Sequence, residues 1–245
     1  MGNCLFTSSI GRKLIMSISG LFLVLFLLFH MSMNLAAVFS TEAYNAICEF
    51  LGANWYALVG TLVLAAGFLV HIIYASILTL RNRAARGDKR YAVTAMPAGV
   101  SWASRNMYIL GAIVVLGLIL HLYNFWYKMQ FAEIIGDHNL GAFGPTDGAA
   151  YIADLFSNPV YCIIYLVWFV AIWFHLTHGF WSAFQTIGWD NQIWLGRLKC
   201  IANIFATVVF LGFAVVVVAF YLRSLCGGAC GVCLSLIHIS EPTRH

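Results

Sequence analysis

Histidines inside long apolar segments are the residues of this sequence with the clearest capacity for chemistry. Five of the eight histidines lie in such segments: His30, His71, His121, His175 and His178. An imidazole in lipid is costly unless it is hydrogen-bonded or holds a ligand. One histidine alone could simply bond to a neighbouring helix, but four segments carry at least one each. We therefore interpret these histidines as a set with a common function.

The spacing of the histidines along their segments predicts two levels within a membrane. From the helical rise, His30 and His121 lie about 25 Å and 24 Å from the basic residues that mark one membrane edge. His71 lies about 15 Å from that edge, and His175 and His178 lie about 21 Å and 16 Å from it. The first and third segments therefore supply an outer pair, and the second and fourth supply an inner pair.

Paired neutral imidazoles suit a metal with two open axial positions, such as haem iron. Zinc is less suitable because it prefers four ligands in a tetrahedron, and the apolar segments contain no carboxylate to complete the set. The lack of acids at mid-depth also argues against a proton or cation transporter. The histidines thus indicate a two-haem electron path across a bilayer.

Composition defines the elements that must position these histidines. The chain is 62% hydrophobic and 9% charged, whereas soluble domains carry about 25% charged residues. Five apolar segments exceed the ~20 residues that cross a bilayer, at 14–39, 55–80, 104–127, 160–187 and 199–222. Because backbone groups in lipid must be satisfied within their own segment, we predict an all-α fold, a polytopic membrane bundle of five transmembrane helices.

Basic residues predict the orientation of this bundle. Ten of the 13 Lys and Arg residues precede the first span or lie between spans two and three and between spans four and five. Positively charged loops stay in the cytoplasm, so we expect a cytoplasmic N-terminus and a periplasmic C-terminus. The basic segment 81–101 either only sets this topology or also binds acidic lipid or an acidic partner surface. The 128–159 loop is expected to form an ordered or semi-ordered external cap.

The C-terminal segment 224–245 is interpreted separately from the transmembrane domain at 1–223. Its letters "LSLIHISEPTR" resemble the translation of a sequencing-library adapter, which predicts non-native sequence from about residue 234. We therefore exclude its histidines and its C-x3-C-x2-C cysteines from the functional interpretation.

Several motifs, taken in order, resemble one family. They are "SISGLFLVLFLLFH", "HLY" at 121–123 and "HLTHGFWSAFQTIGW", together with "EAYNAICEFLGANWYALV" and "DNQIWLGRLKC". Over about residues 7–222 the chain resembles the single-subunit, five-helix, two-haem cytochrome b anchor of succinate dehydrogenases and fumarate reductases, in the version of Bacteroides-like bacteria. The resemblance implies two b haems, with menaquinone or menaquinol as the membrane substrate.

The resemblance also implies axial ligands. His30 and His121 would hold the outer haem, and His71 would hold the inner haem with a fourth-span histidine. His175 is favoured because it stands four residues before Gly179 and fourteen before Trp189, as the family ligand does. The depth estimate alone favours His178, which we otherwise assign to a hydrogen bond near a propionate or quinone.

Further site residues are expected from the same resemblance. Ser17 matches a position that contacts a haem propionate, and three basic residues could do so by charge: Arg12, Lys13 and Arg105. Glu42 and Glu49 are candidates for a quinone site, although neither aligns cleanly. Trp173 stands where some members carry a glutamate used for proton movement, so that route is not expected here.

The expected function is electron transfer within an enzyme complex of the bacterial cytoplasmic membrane. Electrons would pass between quinone and a cytoplasmic iron–sulfur subunit, and beyond it a flavoprotein subunit, because this chain has no nucleotide fingerprint or usable cysteine cluster of its own. Alternatives are the cytochrome b anchor of a hydrogenase or formate dehydrogenase, a membrane transporter that uses its histidines, or a structural anchor whose haems only hold the bundle together.

Overall fold

The computed structural model describes residues 8–52, 54–86, 101–189 and 191–228, and within these ranges it contains helices and no β-strand. The α-helices are α1 (Ser9–Phe39), α2 (Thr41–Phe50), α3 (Trp55–Arg86), α4 (Trp102–Arg105), α5 (Met107–His121), α6 (Ala132–Ile135), α7 (Gly148–Ser157), α8 (Pro159–Ile187) and α9 (Gln192–Gly228). A π-helical segment, Leu122–Phe131, joins α5 to α6. Most of the basic segment 81–101, and residues 229–245 of the tail, lie outside the described residues.

Five helical stretches in the described part of the chain are long and apolar enough to cross a membrane. They are Ser9–Phe39, Trp55–Ala85, Met107–Ile135, Pro159–Ile187 and Gln192–Gly227. The prediction of an all-α, multi-pass bundle with five such helices is confirmed. Their 29 to 36 residues exceed the roughly 20 that hydrocarbon requires, so their ends extend beyond the apolar layer.

Two helix ends differ from the sequence expectation by the largest margins. The third span continues past residue 127 to Ile135 because the π-helical segment keeps the backbone hydrogen-bonded. Glu133, expected in a loop, therefore lies on a helix. The fifth span begins at Gln192, seven residues before the expected start, where Asn191 Oδ1 accepts a hydrogen bond from the Trp194 amide. In both cases the helix includes residues outside the apolar run that the sequence marks.

Helix α8 is the centre of the bundle. It packs against α9, α1 and α5, while α3 packs mainly against α1. The main core cluster includes Met31, Phe169, Val209 and Phe213, contributed by α1, α8 and α9. Large aliphatic side chains remain exposed on the outer faces of the spans, for example Leu25, Leu62, Leu116, Val167 and Leu211. An apolar exterior around a helical core is the pattern expected of lipid-facing helices.

Two short helices cover one end of the bundle, on the side of the predicted external loops. Each begins with a capped N-terminus, since Ser40 accepts from the Ala43 amide and Asp147 accepts from the Ala150 amide. Asn45 joins them by donating to Asp147 Oδ1 and accepting from the Ala149 amide. Helices α2 and α7 thus form an ordered cap over the ends of the spans.

Candidate functional site

His30 of α1 and His121 of α5 lie next to each other in the bundle interior. Their ring centroids are 5.7 Å apart, with an interplanar angle of 84°. Phe26 stacks on His30 at 5.3 Å, and Phe125 and Trp168 lie 5.1 Å and 5.8 Å from His121. These two histidines, which we call the outer pair, therefore occupy an aromatic environment.

Trp168 reaches His121 through a gap that a glycine provides. Its indole Nε1 donates to the Val114 carbonyl over 3.1 Å, and the ring occupies the space where Gly117 would carry a Cβ. A side chain at position 117 would overlap the indole. The close approach of α8 to α5 at this level thus depends on Gly117.

His71 of α3 and His175 of α8 form a second neighbouring pair, the inner pair. Their ring centroids are 6.4 Å apart at 71°. A glycine from another helix lies against each ring, since a Cβ on Gly20 would be 3.2 Å from His71 Cε1 and a Cβ on Gly111 would be 3.4 Å from His175 Cε1. The glycines leave room beside both imidazoles.

The two pairs lie at different heights, and two helices give the same separation. On α1, Gly20 marks the inner level and His30 the outer one, ten residues apart. On α5, Gly111 and His121 mark the same levels, also ten residues apart. Ten helical residues correspond to about 15 Å. The four side chains thus form two pairs at two levels along the helices.

Unpartnered ring nitrogens indicate that the imidazoles face an incomplete environment. His121 Nδ1, His175 Nδ1 and His178 Nδ1 are buried without a hydrogen-bond partner. Buried polar atoms are nearly always satisfied, so these groups call for a ligand, water or another partner. One histidine of each pair therefore has a ring nitrogen that is available for a further bond.

The separation within each pair matches that of two imidazoles bound to one metal ion. Metal–nitrogen bonds of ~2.0–2.1 Å to two opposed imidazoles place the ring centroids roughly 6 Å apart, and the two observed separations are 5.7 Å and 6.4 Å. Among the described residues no three His, Cys, Asp or Glu side chains form a group that could hold a bare metal ion. Two-fold imidazole ligation is therefore the chemistry that each pair can offer.

His178 lies in a different environment from His175. Its ring makes an edge-on contact with Trp181 at 4.9 Å, and Lys199 Nζ lies over the same indole at 4.8 Å from the ring centroid. In the structure it is His175 that lies beside His71. His178 thus belongs to an aromatic and basic cluster near the predicted cytoplasmic edge.

The expected propionate contacts lie near the N-terminal end of α1 and at α4. Ser17 and Arg12 are buried, and the Arg12 Nε donates to the Ser8 carbonyl over 3.2 Å. Lys13 and Arg105 are exposed. Their roles toward a propionate remain predictions.

The acids expected near a quinone lie on the capping helix α2. Glu42 and Glu49 are exposed on α2. Trp173 points toward α9, where its indole donates to Thr207 Oγ1 over 3.0 Å. Glu133 is an acid that the sequence interpretation missed, and its Oε2 is buried beside Gly52 without a hydrogen-bond partner.

Two polar partners of the histidines, and a third residue that bonds to one of those partners, were also missed. Ser19 Oγ lies 3.3 Å from His71 Nδ1. Asn34 Nδ2 lies 3.4 Å from His30 Nε2, and the Tyr44 hydroxyl donates to Asn34 Oδ1. A polar residue in an apolar span was the available signal for Ser19 and Asn34. No feature of the sequence pointed to Tyr44, because its contact with Asn34 depends on how α2 folds back over α1.

No protein-family model, curated protein or solved structure was found to match the chain. The function proposed below therefore rests on the residues and their geometry.

Proposed function

We propose that this chain is the membrane anchor and electron-transfer subunit of a succinate:quinone oxidoreductase, a succinate dehydrogenase or quinol:fumarate reductase. It would hold two b haems, the outer one by His30 and His121 and the inner one by His71 and His175. The observation that carries the proposal is the occurrence of two imidazole pairs, 5.7 Å and 6.4 Å between ring centroids, about 15 Å apart along two helices.

The chain's own residues would supply the ligands and a dry environment. Haem adds one-electron redox chemistry, and its potential depends on axial ligands, hydrogen bonds and burial. Phe26 and Phe213 beside His30, and Trp168 beside His121, exclude water from the outer level. Water exclusion strengthens the electrostatic effect of each polar group near the histidines.

The basic edge of the bundle suits a soluble electron-transfer partner. Lys13, Arg105, Arg197 and Lys199 are exposed at helix ends on the side predicted to be cytoplasmic. An iron–sulfur subunit carrying a flavoprotein subunit would dock on this side, in the bacterial cytoplasmic membrane. Menaquinone or menaquinol would exchange electrons with the haems from the bilayer. Electrostatic complementarity would steer such docking more than it would strengthen it.

The test is purification of the chain from its native membrane with whatever subunits remain bound. We expect an iron–sulfur and a flavin subunit to co-purify, and succinate to reduce the haem absorbance, which is then reoxidised by a menaquinone analogue. A charge-reversed double variant, Lys13→Glu and Arg197→Glu, should lower the recovery of both soluble subunits. The matched control, Lys128→Glu on the opposite side, should leave recovery unchanged.

Other outcomes would point to the competing functions. Haem reducible by hydrogen or formate but not by succinate would favour the anchor of a hydrogenase or formate dehydrogenase. Stable, haem-free protein would favour a transporter. Assembly with haem but with quinol turnover unaffected by loss of any ligand would favour a purely structural anchor.

A further inference from the structure

Ser19 makes two polar contacts from a buried position on α1. Its side chain is 8% exposed. The hydroxyl donates a hydrogen bond to the Met16 carbonyl over 3.0 Å, and the same oxygen lies 3.3 Å from His71 Nδ1. One turn of α1 thus presents the Ser19 oxygen to an imidazole of α3.

These contacts determine which ring nitrogen of His71 carries the proton. A serine hydroxyl has a single hydrogen, and here Met16 accepts it. Ser19 Oγ can therefore meet His71 only with a lone pair, so Nδ1 must be the donor. A neutral imidazole has one N–H. Nε2 is consequently left with its lone pair available to a metal.

We propose that Ser19 is a positioning residue for His71, which it holds in the Nδ1–H tautomer with Nε2 free to ligate. As a statement about haem the proposal rests on the proposed function, since the inner haem iron would be the metal. Hydrogen bonds of this kind fix the orientation of a ligating histidine and raise its basicity. Ser19 would thereby stabilise the ferric state of the inner haem.

The neighbouring glycine strengthens the orientation. Gly20 follows Ser19, and a Cβ there would lie 3.2 Å from His71 Cε1. The His71 ring therefore packs closely against the α1 backbone at Gly20, and its Nδ1 lies within hydrogen-bonding distance of Ser19 Oγ. His175, the other member of the inner pair, has an unpartnered Nδ1. Within the inner pair, it is thus His71 whose basicity is set by a hydrogen-bond partner, Ser19.

The test compares three variants of the full chain, purified with haem. Ser19→Ala removes the acceptor, and Ser19→Thr restores a hydroxyl. Ser32→Ala is the matched control, because Ser32 lies on the same helix and its hydroxyl bonds to the Leu28 carbonyl of its own helix. Redox titration with optical detection resolves the two haems, and dilution into apomyoglobin measures how readily each haem is lost.

We expect Ser19→Ala to weaken retention of the inner haem by roughly 10- to 100-fold, as for other partners of metal-bound histidines. The inner midpoint potential should rise, by 59 mV for each tenfold loss of ferric preference, while the outer haem stays unchanged. Ser19→Thr should recover most of both values, and Ser32→Ala should match the wild type. An inner haem unchanged in Ser19→Ala would overturn the proposal.

A measurement that needs no haem separates this proposal from the proposed function. Histidine labelled with ¹⁵N in the haem-free wild-type chain reports the tautomer of His71, with the signal assigned by its loss in His71→Gln. An Nδ1–H signal supports the role of Ser19, whereas an Nε2–H signal overturns it. Failure of the wild type to bind haem would overturn the proposed function and leave the tautomer result to stand on its own.

Discussion

The Tyr44 hydroxyl donates a hydrogen bond to Asn34 Oδ1 over 3.1 Å. Asn34 in turn lies against the His30 ring and donates to the His30 carbonyl over 2.8 Å. Helix α2, outside the spans, is therefore connected to the outer pair through one side chain of α1. Burial is the main reason that the pKa of Tyr44 lies well above its usual value, so the hydroxyl stays a donor.

Replacing Tyr44 with phenylalanine should therefore affect the outer pair selectively. Tyr44→Phe leaves the half-buried Asn34 amide oxygen without its donor, which costs about 1 kcal/mol of stability. Thermal unfolding in detergent would measure this loss, and the optical spectrum should change for the outer haem and not for the inner one. Tyr56→Phe is the control, because Tyr56 donates only to the Phe50 carbonyl within the loop. An equal change at both haems would contradict this connection.

Gly117 should tolerate no side chain. In Gly117→Ala the new methyl group overlaps the Trp168 indole, and overpacking of this kind costs typically about 1–3 kcal/mol. The indole must also move away from His121, so the content of the proposed outer haem should fall together with the melting temperature. Gly60→Ala is the matched control, since a Cβ at Gly60 meets nothing within 4 Å and alanine favours helix. Equal stability of the two variants would show that α5 and α8 do not approach as described.

Cys48 of the external cap should be unreactive at neutral pH. Burial raises the pKa of its thiol to about 11 from 9.0, so the folded protein favours the neutral thiol. Alkylation rates by iodoacetamide should rise with a midpoint near pH 11. In a Cys48→Ser background, Ala46→Cys provides an exposed thiol on the same helix, and this control should react at lower pH. Overlapping pH profiles for the two thiols would contradict the buried placement.

The same shift predicts how stability depends on pH. Because the pKa of Cys48 is raised on folding, its contribution is fully present below pH 9 and is lost as the pH rises from about 9 to about 11. Unfolding temperatures should fall across this window in the wild type. Cys48→Ala should reduce the fall in unfolding temperature across this pH window. An unchanged slope in this variant would contradict the assignment of the pH dependence to Cys48.

Arg223 at the far end of α9 should stabilise the end of α1. Its Nη2 donates to the Val38 carbonyl over 2.6 Å, near a helix C-terminus that also attracts cations. Since the side chain is exposed, we expect Arg223→Gln to cost only about 0.5–1 kcal/mol. Urea unfolding in mild detergent measures the loss, and Arg223→Lys should lose less. An unchanged free energy of unfolding in Arg223→Gln would show that this contact does not stabilise the end of α1.

The spans and the levels of the histidines could be predicted from the sequence for a simple reason. Apolar length determines a membrane helix, and the rise per residue is constant, so distance along a helix gives depth. His30 and His121 could be matched by height without knowledge of how the helices pack. Height alone would have matched His71 with His178, and the choice of His175 came from the resemblance.

Contacts between helices could not be obtained in the same way. Ser19 bonds to His71 because α1 and α3 are rotated toward each other at that level, and no periodicity reports such a rotation when both helices are apolar on most faces. Asn34 and Tyr44 meet only after the chain turns at Ser40. The burial of Glu133 depends on a π-helical segment that the sequence did not indicate. Side-chain partners could therefore not be predicted from the sequence, because they depend on how the helices pack.

The central claim is that two pairs of intramembrane histidines each hold a haem, and the most direct measurement is a reduced-minus-oxidised optical spectrum of the purified chain with quantified haem. The account predicts two b haems per wild-type chain, about half of that signal in His71→Ala and in His175→Ala, and an unchanged signal in His138→Ala, whose side chain is exposed outside the spans. Retention of both haems in either inner-pair variant, or a wild-type chain without Soret absorbance, would contradict it.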